Sequence, residues 1–120
     1  MQIELKPVRW IGSSRKDLRS SPAPVRIEIG YALYAAQKGE IDPAAKPLKG
    51  FGGASVLEIV TSSHGNAWRA VYTVFFRNAI YVLHVFQKKS TKGIATPARE
   101  IKLIRRRLAE AERDYRGRQN

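Results

Sequence analysis

The chain has 120 residues, 43% of them hydrophobic, and 22 lysines and arginines against 10 acids, a formal net charge of +12. That length suits a single packed core, so residues 1–120 read as one domain; the lack of cysteine excludes disulfides and thiolate chemistry, and no apolar run approaches the ~20 residues of a bilayer-spanning helix. The positive excess attracts polyanions, RNA or DNA most simply, with an anionic membrane surface or an acidic protein as alternatives.

The opening MQIELKPVRW carries no signal-peptide pattern, so a cytoplasmic location is expected. Val8 to Ile11 reads as a short strand that Gly12 ends. Ser13 or Ser14 caps a short helix with Asp17 in its first turn. Ser21-Pro22 starts a second helix, a capping side chain followed by proline at the first helical position. Val25, Ile29, Ala32, Leu33 and Ala36 recur at helical spacing, and Gly39 stops the helix after about Lys38. Ser13–Lys38 is therefore expected to form a helical hairpin over one face of a sheet. Glu40 to Gly53, with two prolines and three glycines, reads as a loop, and Phe51 as its anchor to the core. Its glycine run lacks both the preceding strand and the Lys-Ser/Thr of a phosphate-binding loop.

Three runs rich in β-branched and aromatic residues follow: Ser55–Thr61, Ala67–Phe76 and Ala79–Gln87. His64-Gly65-Asn66 and Arg77-Asn78 link them as hairpins, giving an antiparallel three-stranded meander. Strict alternation places Glu58, Arg69, Thr73, His84 and Lys88 on one face, expected to be partly open. Leu57, Ile59, Trp68, Ala70, Tyr72, Val74, Tyr81, Leu83 and Val85 then occupy the other face and meet the helices. A basic link from Lys88 to Gly93 leads to Thr96-Pro97, a second cap-plus-proline start. The last helix carries Ile101, Ile104, Leu108, Ala111 and Tyr115 on an apolar stripe. Its other side holds Arg99, Lys102, Arg105, Arg106, Arg107 and Arg113, and Arg116 to Asn120 is expected to fray.

The ordered set of these segments resembles the RelE/HigB superfamily of toxins, and within it the phage-derived HigB-like branch. The resemblance spans roughly Val8 to Tyr115. It rests on the Ser20–Gly39 hairpin, on Ala45-Lys46-Pro47-Leu48-Lys49-Gly50 leading to Leu57-Glu58-Ile59, and on Trp68-Arg69-Ala70-Val71-Tyr72. It closes with Phe86-Gln87-Lys88-Lys89-Ser90, Thr96-Pro97 and Glu100-Ile101. The fold this implies is α+β: a RelE-like twisted antiparallel sheet with a helical hairpin on one face and a C-terminal helix. The function it implies is the toxin of a type II toxin–antitoxin pair, a ribosome-dependent mRNA endoribonuclease that blocks translation. The partner it implies is a helix-turn-helix antitoxin of the HigA type, in a toxin–antitoxin hetero-oligomer. A non-catalytic RNA- or ribosome-binding module, and a phage-derived inhibitor of a host protein, are the alternatives.

Cleavage through the ribose 2′-hydroxyl needs a base, an acid and cations at the phosphate. Two isolated histidines, His64 and His84, make no metal site, and neither metal nor cofactor is expected. The resemblance singles out Arg69, whose guanidinium fork suits phosphate; the competing reading pairs it with Glu58 across the strands. Lys88 and Lys89 match the branch's lysine pair, one to hold phosphate or act as a base with a depressed pKa, against a solvated strand end. His84 has the intrinsic pKa for proton transfer, against a satisfied semi-buried histidine, and Glu58 is a further candidate base. Lys46, Lys49, Lys92, Arg105 and Arg106 are the candidate RNA contacts, against an ordinary solvated surface. RelE-type members carry a catalytic tyrosine after the last strand; here Tyr115 lies on the apolar stripe, so that role is not carried over.

Overall fold

A computed structural model describes residues 4–88 and 96–119. The elements in order are β1 (Val8–Trp10), α1 (Ser14–Arg19), α2 (Ala23–Gln37), β2 (Lys46–Pro47), β3 (Val56–Ser63), β4 (Asn66–Thr73), β5 (Ile80–Lys88) and α3 (Ala98–Gln119). They form one five-stranded sheet in the order β1-β5-β4-β3-β2. The meander is β3-β4-β5, antiparallel throughout. Ser63 and Asn66 pair across a two-residue turn whose His64 and Gly65 both have positive φ, 53° and 80°, the twist-compatible hairpin geometry. The N-terminal strand pairs parallel with β5, so the sheet is mixed rather than wholly antiparallel. Part of the expected loop is a strand: Lys46 and Pro47 pair with Glu58 and Leu57. A two-residue strand containing proline has no pattern to announce it, and proline is tolerated there because β2 is an edge.

The helical hairpin covers one face. Val25, Ile29, Leu33 and Ala36 of α2 and Leu18 of α1 pack on Leu57, Ile59, Ala70, Tyr72, Ile80, Val82 and Val85. Each fully buried Val, Ile or Leu here contributes about 1.5–3 kcal/mol. The second face, expected to be partly open, is covered by α3. Ile104 and Ala111 are buried there with Val56, Val71, Phe76, Tyr81 and Leu83, and Ile101, Leu108, Tyr115 and Phe51 pack beside them. The 22-residue amphipathic α3 buries its apolar stripe on this face. It continues to Gln119 without fraying at Arg116, supported by the Arg116–Glu112 and Arg118–Asp114 pairs one turn apart.

Strict alternation fails in β5. Val71 pairs with His84 but Tyr72 pairs with Val82, so Leu83 is an extra residue, a β-bulge. The bulge exchanges the faces of the strand's first half. Ile80 and Val82 point to the α2 side with Val85, while Tyr81 and Leu83 join His84 on the α3 side. Tyr81, Phe76 and Tyr115 form an aromatic cluster with ring centroids 4.7 to 6.5 Å apart.

Candidate functional site

Glu58, Arg69 and His84 do share the α3-facing side of the sheet, but they sit beneath the helix and not on an open surface. The Arg69 guanidinium lies 3.1 Å from Glu58 Oε1, with both side chains largely buried. The second Glu58 oxygen accepts from the Thr96 hydroxyl at 2.7 Å. Thr96 thus spends its hydroxyl on the strand below instead of on the start of α3. Thr73 donates to the Ser55 carbonyl and accepts from the Phe75 amide, closing the end of β4.

His84 is engaged at both ring nitrogens. Nε2 is 2.6 Å from Glu100 Oε2, and Nδ1 is 3.3 Å from Arg107 Nη1. A guanidinium only donates, so Nδ1 accepts, and the imidazole proton lies on Nε2 and is donated to Glu100. Arg107 also donates to the Leu83 carbonyl and to the Ser13 hydroxyl. The carbonyl it reaches belongs to the bulged residue, whose distorted backbone leaves it outside the regular ladder. Burial pushes the His84 pKa down; Glu100 pulls it up, Arg107 pushes it down, and the net shift is downward. The ring stacks on Phe86, centroids 4.5 Å apart.

His84, Phe86 and Glu100 border a groove of about 680 Å³. It exists because β1 is short: it covers β5 only at Ile80–Val82, leaving His84–Lys88 as an uncovered edge between α1 and the first turn of α3. Lys88, His84, Glu100, Arg99, Trp68 and Asp17 line it, among others. Lys88, paired opposite Ala67, points to the same side as Arg69 and is only 9% exposed. Among the described residues, no three His, Cys, Asp or Glu side chains gather as a metal site would require.

Residues 16–109 match the family model described as phage-derived protein Gp49-like (DUF891). The chain belongs to the phage-derived Gp49-like family. Its fold is also that of RelE. It superimposes on a free-state mutant of the Escherichia coli toxin RelE with a TM-score of 0.51 at 19% identity, covering 68% of this chain and 81% of that one. The toxin–antitoxin complex RelBE2 of Mycobacterium tuberculosis gives 0.46 at 18% identity, covering 74% and 98%. No curated relative matches by sequence.

Within this Gp49-like chain the sequence-derived candidates separate into groups. Arg69 and Glu58 form a buried pair, while His84 and Lys88 reach the groove. Lys46 lies opposite Glu58 at the other edge of the sheet, and Lys46, Lys49 and Arg106 are exposed. Arg105 is exposed as well but lies along the loop, donating to the Gly50 carbonyl at 2.6 Å and resting 4.6 Å from the Phe51 ring centroid. Lys89 and Lys92 lie outside the described residues. Glu100 and Arg107 are not among the site residues that the sequence marks. Glu100 reads from sequence as an ordinary acid in a helix's first turn, and Arg107 as one of three consecutive arginines. Only the register of α3 over β5 picks them out. No helix among the described residues is long and apolar enough to cross a membrane.

Proposed function

We propose that this protein is the toxin of a type II toxin–antitoxin pair, acting as a ribosome-dependent endoribonuclease on mRNA. The observation that carries the reading is the convergence of Lys88, His84 and Glu100 on one groove at the uncovered edge of β5. Membership of the Gp49-like family and the RelE fold add support. The chemistry is attack of a ribose 2′-oxygen on the neighbouring phosphate. Lys88 meets the phosphate as a cation and supplies a proton to the departing oxygen. Arg69 adds a fixed positive charge on the adjacent strand, and Glu58 holds it in place. Lys46, Lys49 and Arg106 extend the cationic surface toward mRNA and ribosomal RNA, with Lys89 and Lys92 following Lys88 in sequence. The partner is a co-encoded helix-turn-helix antitoxin, whose binding keeps the groove from RNA.

The buried Glu58–Arg69 pair favours a second reading: a non-catalytic RNA- or ribosome-binding module in which Arg69 only ties β3 to β4. Induced expression of the wild type and Lys88→Met separates them. The toxin reading expects growth arrest with mRNA cut within codons, and cleavage reduced about 100-fold or more in the variant. Arrest with intact mRNA would establish the binding module instead.

A further inference from the structure

We propose that Glu100 is the proton acceptor of the groove and that His84 and Arg107 are the residues that position it; the inference rests on the ribonuclease reading above. His84 cannot itself take the proton from a substrate in this arrangement. Its Nδ1 is occupied by Arg107 and its Nε2 carries the hydrogen given to Glu100. The chain therefore runs in one direction: Arg107 donates to His84, and His84 donates to Glu100 Oε2. Glu100 ends the chain with a second oxygen, Oε1, whose ion-pair contact among the described residues is Arg99 at 3.9 Å. Oε1 is the acceptor left for a substrate.

Position supports the role. Glu100 sits in the first turn of α3, where the positive end of the helix favours a carboxylate. Its side chain is 18% exposed and lines the same groove as Lys88. Glu58, the other carboxylate on this side, has both oxygens taken by Arg69 and Thr96. Arg107 is anchored at two further points, the Leu83 carbonyl and the Ser13 hydroxyl, so the orientation of the imidazole is fixed from β5 and the start of α1 together. A base held by a donor that is itself held from behind is the arrangement that general base catalysis favours.

The step balances within the groove. The 2′-hydroxyl proton passes to Glu100 Oε1 as the 2′-oxygen bonds to phosphorus. The bond from phosphorus to the 5′-oxygen breaks with its electron pair on that oxygen, which takes a proton from the Lys88 ammonium. The products are a 2′,3′-cyclic phosphate and a 5′-hydroxyl. Solvent then returns a proton from Glu100 to Lys88, restoring both groups.

The test is single-turnover cleavage of mRNA on programmed ribosomes by the purified chain. The proteins are wild type, Glu100→Gln, Glu100→Asp, and Glu112→Gln as an exposed control on the same helix. Glu100→Gln should slow cleavage by about 10²–10⁴-fold, with Glu100→Asp between it and wild type and the control unchanged. Binding of an mRNA carrying a single 2′-deoxyribose at the cut position should stay within about 2-fold of wild type, which a misfolded or displaced helix would not allow. His84→Gln, which keeps a donor toward Glu100 but loses the anchoring by Arg107, should lower the rate while leaving binding of the deoxy substrate unchanged. A wild type that cuts and a Glu100→Gln variant that cuts equally fast would overturn the assignment while leaving the ribonuclease reading intact. Loss of deoxy-substrate binding in Glu100→Gln would reassign Glu100 to holding the helix. A wild type that cuts nothing would overturn both.

Discussion

His84 is a buried imidazole held neutral, and that state has a consequence for stability. Its folded pKa lies below the ordinary value of 6.5, with burial the largest cause. Glu100 and Asp17 oppose the shift, and Arg107 adds to it. In the unfolded chain the same histidine takes up a proton near pH 6.5, where the folded chain does not. Its contribution is therefore complete above pH 6.5 and is lost as pH falls through that value toward the folded pKa, at up to about 1.4 kcal/mol per pH unit. Denaturant unfolding at pH 7.5 and 5.5 should show a larger loss for wild type than for His84→Gln. Equal losses would mean that the imidazole charges freely in the fold. Asp114 does not confuse the comparison. Its pKa is lowered, first by the Tyr81 hydroxyl and then by Arg118, so its contribution disappears only at more acidic pH.

The elements themselves divide into those that local pattern dictates and those that packing imposes. The helical hairpin, the three meander strands and the apolar stripe of α3 all follow from periodicity, because each buries a continuous face. The bulge at Leu83 and the parallel pairing of β1 do not, since both depend on how β5 meets its neighbours. The position of α3 across the candidate site is of the same kind. Its stripe could be read, but not which sheet face it would cover, and so Glu58, Arg69 and His84 appeared open. The site was legible in its strand residues and hidden in its helix residues. Within α2, Gly30 presents a separate case. It lies mid-helix and exposed, and a Cβ there would meet nothing within 4 Å. Neither turn geometry nor internal packing requires a glycine. Gly30→Ala should raise the unfolding free energy by about 0.5–1 kcal/mol, through reduced freedom of the unfolded chain and better helix propensity. Chemical denaturation measures this directly, and a destabilised variant would mean that the α2 backbone is held differently at that turn.

Over the whole molecule, a net charge of +12 on 120 residues is spread unevenly between tasks. Arg69 and Arg107 are committed to the interior of the site and Arg105 to the Gly50 turn. Arg116 and Arg118 are paired along α3. Lys46, Lys49 and Arg106 are exposed, and none of the ion pairs among the described residues takes them. The Arg105–Gly50 bond draws the loop that carries Lys49 toward the helix that carries Arg106. Cations placed this way act on a polyanion mainly by releasing its counterions, so affinity for single-stranded RNA should fall linearly on a logarithmic salt scale, with about 0.7 of slope per phosphate neutralised. Lys49→Ala and Arg106→Ala should each flatten that slope by about 0.7, and the double variant by about twice as much, with no change in melting temperature at high salt. Titration of a fluorescent RNA at four or five salt concentrations gives the slopes. Slopes identical to wild type in both variants would place the RNA on another part of the surface, and would leave the groove at β5 to be reached from the α1 side.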